Sequence, residues 1–398
     1  MHLKFNPTAT SKMRYIYFIS QLTALCFCFV YSAVAQREPL YKTNRQIKKM
    51  LSDSSAMNLY IAAIDYSYIG EYNKALVAFD KAEATETAIA QKKSDAATGY
   101  STKPAVKYII DRSEKEQLII INEAHHQPLH RIFTESLLEG LYARGFRYFG
   151  LETLAEDSLI NIRKWPLQSD GYYTREPQYA NMVRKALKLG FIVFGYESDG
   201  NGKAREIGQA KNIQKVLLKD SGAKILIHCG FNHVIEGKHP NWGKAMAGEL
   251  KSLSGINPFT IDQVDLSEHS LPIYESPYYK PELINSSVAL FDKYPGSDSL
   301  LTDVKIMHPR IGYISGRPNL LLRNNTWKLY DLKAIKFTGK FPYQVAAYNL
   351  GEGKNGVPVD LIEINNATEK PLILPTGQFE LQVKDRAGKK QKTTLIVD

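Results

Sequence analysis

Between residues 117 and 264, short β-branched apolar runs alternate five times with helical stretches, and that alternation constrains the fold more than anything else in the chain. The first unit is the clearest. Residues 117–122 are an apolar run of the kind that forms a strand buried on both faces. Pro128 can open a helix because a first turn has no use for its missing N–H. Ile132, Phe133, Leu137, Leu138, Leu141 and Tyr142 then fall on one helical stripe, and Gly145 supplies a left-handed cap. Residues 147–151 answer as a second strand. Further strands are expected at 191–196, 224–228 and 258–264, with helices at 179–189, 204–219 and 244–253. The architecture this predicts is α/β: a mostly parallel sheet with helices on both faces.

The flanks differ in character. Residues 1–35 carry Lys4, Lys12 and Arg14 ahead of an apolar stretch and end in Ala33-Val34-Ala35, the pattern of a cleaved export signal. The protein is therefore expected in the periplasm or at the cell surface, with membrane contact only if the signal is kept. Residues 36–103 read as a helical region. Ala63, Tyr66, Gly70, Tyr72, Ala75, Phe79 and Ala82 stand at the spacing of a single tetratricopeptide-like unit. No second copy follows, which favours a helical hairpin packed on the main domain over a peptide-binding array. Residues 84–102 read as a linker or frayed helix end. The α/β domain is placed at 104–335 and a small β-rich region at 336–398, either a separate module or an extension of the sheet. Signal removal would take Cys26 and Cys28, leaving Cys229 and no intrachain disulfide. The net charge of +10 is scattered without a basic aromatic-interleaved run, which argues against nucleic-acid binding.

Chemistry is expected at the strand ends, where ligands bind in open parallel sheets. Glu123 and His125 follow the first strand, Glu152 the second, Glu197 the third and His233 the fourth, with Arg205 in the first turn of the helix after the third. In extended chain Glu123 and His125 point the same way, and a carboxylate beside an imidazole raises its basicity and holds its tautomer. A strand-end acid is ordinarily an ion-pairing or capping residue and a lone histidine an ordinary packed one. Four such ends in one sheet are harder to explain that way. His126 and His130 are near enough to contribute, whereas Cys229 reads as a small buried residue.

The set Asn122-Glu123-Ala124-His125, Gly145-Phe146 before Glu152, Arg205-Glu206 with Ala210 and Asn212-Ile213, and Asn232-His233-Val234 resembles the erythromycin esterase superfamily. That group is related to the ChaN-type haem-binding proteins and the Tiki-type metalloproteases. The resemblance spans about residues 115–264, and the Glu-x-His spacing is that of the ChaN-like branch, one residue shorter than the esterase pattern. It implies a hydrolytic centre of Glu123, His125 and His233 supported by Glu152 and Arg205, acting without a cofactor on a small-molecule ester. His126, Arg131, Glu197 and Tyr172 would contact the substrate. Two other readings stay open. Glu123, His125, Glu152 and His233 could share one divalent metal ion, or the chain could hold haem through His or Tyr of the loop at 165–173 without catalysis. Oligomeric state is not set by these features.

Overall fold

The computed structural model describes residues 40–84, 101–155, 159–239, 243–290, 301–353 and 355–398. The expected signal and nearly all of the expected linker lie outside the described residues. Among the described residues no helix is long and apolar enough to cross a membrane.

Three helices open the described chain: α1 Asn44–Met50, α2 Ala56–Tyr68 and α3 Tyr72–Ala84. Thr43 closes a capping box on α1 with Gln46, and Ser55 caps α2 through the Asn58 N–H. Gly70 turns α2 into α3 at φ +71°, and a Cβ there would lie 2.8 Å from the Leu361 carbonyl oxygen. α2 and α3 pack on each other through a shared apolar core.

The α/β domain follows in order: β1 Thr102–Pro104, α4 Ala105–Arg112, β2 Leu118–Glu123, α5 Pro128–Ala143, β3 Tyr148–Leu151, α6 Pro177–Leu189, β4 Ile192–Gly195, α7 Gly202–Lys219, β5 Ile225–Gly230, α8 Met246–Ser254, β6 Phe259–Asp262, β7 Val288–Leu290 and β8 Val304–Met307. They build an eight-stranded sheet in the order β1-β7-β8-β6-β2-β5-β3-β4. From β8 to β4 all neighbours are parallel, and β7 runs antiparallel to both β8 and β1. The sheet is thus wider than the five expected strands. The extra ones are three- and four-residue segments among prolines and aromatics, too short to show a period.

The layers follow side-chain alternation. Ile119 and Ile121 of β2 pack with α4, α5 and α6, whereas Leu118 and Ile120 pack with α7 and α8. All six residues of β2 are buried, in keeping with the unbroken apolar run of its first four. In β5, Leu226 faces the first layer and Ile225, Ile227 and Cys229 the second. From β2 the chain crosses to β3 by α5 on one face, and from β5 to β6 by α8 on the other. The β2–β5 seam is therefore where the winding reverses, and the crevice beyond the strand ends opens there. The register sets Glu123 opposite Gly230 and Ile121 opposite His228.

The C-terminal region is a sheet of its own and does not extend the main one. Strands β9 Tyr343–Asn349, β10 Asp360–Ile364, β11 Gly377–Lys384 and β12 Lys390–Val397 pair antiparallel in the order β10-β9-β11-β12. Its Ala346, Tyr348 and Leu361 join the apolar core of the hairpin. A buried Arg317–Asp360 ion pair at 2.7 Å and an Arg184–Glu352 pair at 2.6 Å reinforce its attachments.

Gly195 ends β4 directly under the loop that leaves β3, and a Cβ there would lie 2.1 Å from the Leu154 carbonyl oxygen, an approach only backbone movement can relieve. Gly195→Ala is expected to cost ~1–3 kcal/mol in urea unfolding, the usual penalty of overpacking. Unchanged stability would show that the loop does not sit where described.

Candidate active site

Two strand rows run out into polar groups at the β2–β5 seam. Glu123 continues the Ile119–Ile121 row and His228 the Leu226 row, so both face the α5 and α6 side. Arg131, one turn into α5, reaches back to them and is fully buried. Its Nε donates to Glu123 Oε2 and its Nη2 to Glu123 Oε1, both at 2.6 Å. Its Nη1 donates to Glu176 Oε2 at 3.0 Å and its Nη2 also to the His125 carbonyl at 3.2 Å. Glu176 is the N-cap of α6, accepting from the Tyr179 N–H at 2.7 Å, so one carboxylate serves helix and guanidinium together. Arg131 is thus the clamp on Glu123. That corrects the expectation that it meets substrate, since the side chain is fully buried and turned onto Glu123, Glu176 and the His125 carbonyl.

Glu123 takes two more contacts. His125 Nδ1 lies 3.0 Å from Oε1 and His228 Nε2 lies 2.8 Å from Oε2. Burial alone would raise the Glu123 pKa, but the Arg131 guanidinium and then His228 outweigh it and hold the carboxyl well below its usual range. An ionised carboxylate only accepts, so each imidazole donates to it. His125 therefore carries a proton on Nδ1, and His228 one on Nε2. His125 is 6% exposed, its ring stacked on Tyr173 at 4.0 Å and edge-on to Phe231 at 5.0 Å.

A second cluster sits across Gly230. Arg205 of α7 donates from Nε and Nη2 to Glu197 at 2.9 and 2.7 Å, and from Nη2 to Glu152 Oε1 at 2.9 Å. Its Nη1 lies 2.9 Å from His233 Nε2, and Glu206 holds His233 Nδ1 at 2.8 Å. Glu152 Oε2 accepts from the Gly230 N–H at 2.5 Å. Burial opposes ionisation of Glu152, yet His233 and Arg205 pull its pKa down to about 2. Burial lowers the His233 pKa, but Glu206 and then Glu152 overcome it and leave it raised. The Arg205 contact requires a lone pair on Nε2. A proton taken up there would therefore displace Arg205 and draw Nε2 toward Glu152 Oε1, 3.5 Å away.

Gly230 joins the clusters. A Cβ on it would lie 2.2 Å from His125 Cε1, 2.3 Å from His125 Nε2 and 3.0 Å from Glu152 Oε2. The Nε2 edge of the imidazole therefore packs across this glycine toward Glu152. Both neighbouring strand ends turn on non-glycine residues with positive φ, Thr153 at 59° and Phe231 at 40°, the kind of backbone strain that gathers at functional sites.

Glu123, His125, Glu152, Arg205 and His233 are thus brought together as the sequence anticipated. Glu197, expected to meet substrate, instead fixes Arg205 with Gln209 at its side. His126 is buried and stacked on Phe79 of α3 at 3.8 Å, with neither ring nitrogen hydrogen-bonded. Burial pushes its pKa well down, so it is neutral. His130 Nδ1 accepts from the Ala124 N–H at 3.1 Å, a structural role. Cys229 is buried, and burial pushes its thiol pKa up. Sequence reasoning missed His228 and Glu176, and offered Tyr173 only as part of the 165–173 loop. Only His228 was findable, because it shares strand parity with Leu226 opposite the Glu123 row.

Of the alternative ligand groups, a metal ion fits these residues poorly. Glu123 and Glu152 already carry guanidinium partners, and no group of three or more His, Cys, Asp or Glu among the described residues is disposed to hold an ion. Of the loop offered for haem, Tyr173 lies flat on His125 and the Tyr172 carbonyl accepts from the Tyr68 hydroxyl at 2.8 Å.

No protein-family model matches the chain. No curated protein matches it either. Among solved structures it is similar to the type III effector HopBA1, at 12% identity and a TM-score of 0.36, over 53% of this chain and 98% of that one. It is also similar to RRSP, a MARTX toxin effector domain from Vibrio vulnificus CMCP6, at 16% identity and a TM-score of 0.30, over 56% of this chain and 45% of that one. Similarity at this level carries no functional argument.

Two outcomes follow from the clamp and the glycine. Arg131→Met leaves Glu123 buried without its cation and is expected to cost ~3–5 kcal/mol at neutral pH. The depressed Glu123 pKa stabilises the wild type fully above the ordinary value of 4.5, and this is lost as pH falls through the folded value. The gap between wild type and variant in urea unfolding must therefore narrow in acid, and a constant gap would contradict the assignment. Gly230→Ala is expected to displace the His125 ring with a stability loss of ~1–3 kcal/mol, read by unfolding and by a shifted His125 imidazole resonance. An unmoved resonance would contradict the packing described.

Proposed function

We propose that the chain is an exported hydrolase that uses the Glu123–His125 pair to activate water against an ester of a small molecule. One observation carries this reading: His125 Nδ1 is held at 3.0 Å by a carboxylate that Arg131 keeps ionised, which leaves Nε2 as a base directed toward Gly230 and Glu152. General-base catalysis needs this tautomer and this fixed ring. The motif resemblance to the erythromycin esterase superfamily supports the same assignment.

In the proposed reaction His125 Nε2 takes a proton from water as its oxygen attacks the ester carbonyl carbon. Glu152, beside Nε2, orients that water. Negative charge gathers on the carbonyl oxygen and is met by Arg205, whose guanidinium is held rigidly by Glu197 and Glu152. When the tetrahedral intermediate collapses, the bond to the alcohol oxygen breaks and that oxygen takes a proton from an imidazolium. His125 returns to it the proton taken from water, which restores the free base. The products are a carboxylic acid and an alcohol, with no redox change.

His125→Ala is expected to lower kcat for any ester the protein turns over by about 10²–10⁴-fold, with the fold kept, as read by circular dichroism and urea unfolding. Glu123→Gln should lose activity as well. Full turnover in a folded His125→Ala protein would remove the proposed base.

A further inference from the structure

We infer that the molecule holds a second, serine-based centre: Ser287, activated by His308 with Gln263 behind it, is a nucleophile that accepts an acyl group from an ester. It uses a different set of strand ends from Glu123 and His125 and does not depend on the reading given for them.

The three residues come together at one edge of the main sheet. Gln263 is the first residue beyond β6 and His308 the first beyond β8. These strands run parallel, so both residues lie at carboxyl ends, where open sheets of this kind bind ligands. Strand β7 returns antiparallel with Val288 opposite Met307, which sets Ser287 opposite His308. The Ala105 N–H donates to the Ser287 carbonyl at 2.9 Å and fixes the serine backbone. Ser287 and His308 are half-buried, and Asn285 and Ser286 just before them are exposed, so the pair stands at a solvent-facing rim.

The hydrogen bonds give each member one role. Gln263 is fully buried, and its Nε2 donates to the Asn122 carbonyl at 2.7 Å, which turns its Oε1 toward His308 Nε2, 3.2 Å away. An amide oxygen only accepts, so His308 carries a proton on Nε2. Burial pushes the His308 pKa down to about 4, so at neutral pH this is its single ring proton and Nδ1 holds a lone pair. Ser287 Oγ, 2.8 Å from Nδ1, is then the donor. Phe133 stands edge-on to the imidazole at 4.9 Å. A nucleophile, a base and a third group that orients the base are what activation of a serine requires, and a side-chain amide can fill the third place. Ser67, Ser113 and Ser136, by contrast, each donate to a backbone carbonyl three residues earlier.

His130 adds a donor to the cluster. Its Nδ1 accepts from the Ala124 N–H, and burial, with His308 next, pushes its pKa well down, so the neutral ring bears its hydrogen on Nε2. That N–H is buried without an acceptor, in a ring 5.6 Å from the His308 ring. A buried donor left unmet calls for an explanation, and a carbonyl oxygen brought in beside the dyad would satisfy it.

In the proposed step Ser287 Oγ bonds to the carbonyl carbon of an ester as its proton passes to His308 Nδ1. The bond to the alcohol oxygen breaks, that oxygen takes the proton from Nδ1, and an acyl-serine remains. Water then adds to the acyl carbon by the same route, giving the acid and restoring the hydroxyl, with no redox change.

The test treats the protein with diisopropyl fluorophosphate, with which Oγ forms a bond to phosphorus, fluoride leaves and the hydroxyl proton goes to His308. Peptide mapping by mass spectrometry should place one adduct on Ser287 and none on the neighbouring Ser286. His308→Ala should slow the labelling by about 10²–10⁴-fold, the usual worth of a general base. No adduct on Ser287, or an undiminished rate in a folded His308→Ala protein, would overturn the proposal. Should that variant not fold, the imidazole of the wild type decides by NMR at neutral pH. His308 with its proton on Nε2 supports the dyad, and a proton on Nδ1 overturns it.

Discussion

A buried guanidinium set against a buried carboxylate is the interaction on which the rest of this molecule's polar centre depends. Arg131 and Glu123 are both removed from water, each at a desolvation cost of several kcal/mol, and only near-complete hydrogen bonding can offset it. The fold supplies that bonding from separate elements. Strand β2 gives Glu123 and the His125 carbonyl, α5 gives Arg131, the cap of α6 gives Glu176 and β5 gives His228. Because the carboxylate stays ionised, the tautomers of two imidazoles are fixed with it. A neutral pair of the same shape would hold the strands equally well but would leave the His125 ring free to choose its proton.

The arrangement across Gly230 has an internal correspondence. His125 is held at Nδ1 by Glu123 and His233 at Nδ1 by Glu206, and the edges bearing Nε2 approach Glu152 from opposite sides. Glu152 therefore lies between two oriented imidazoles, with Arg205 balancing its charge. The correspondence follows from topology. Strands β2 and β5 are adjacent but feed helices on opposite faces, so their ends present groups to one crevice from both layers. Rings of the hairpin and of the long loop after β3 pack beside it, Phe79 on Phe231 and Tyr173 on His125.

Much of this was legible beforehand where the signal is local. Alternation of apolar runs with helical stripes marks β2 to β6 and their helices, and Pro128, Gly145 and Gly190 mark helix ends at the positions found. The strand-end acids and histidines were visible because they interrupt apolar runs at equivalent places. The strands β7 and β8 were not, since three or four residues carry no period. The role of Arg131 was misread because a helix-borne arginine near a site looks like a ligand contact until packing shows it closed in. Tyr66 and Phe79 were read as hairpin filling. Their second neighbours lie well over a hundred residues away in the case of Phe231, and no local pattern announces such a contact.

The most direct test of the account is the protonation of the two histidines on Glu123, read from long-range nitrogen–proton correlations of the imidazoles at neutral pH. His125 should appear as the neutral form with its proton on Nδ1, and His228 as the neutral form with its proton on Nε2. Finding His125 protonated on Nε2 alone would leave no lone pair toward Gly230 and Glu152 and would contradict the account.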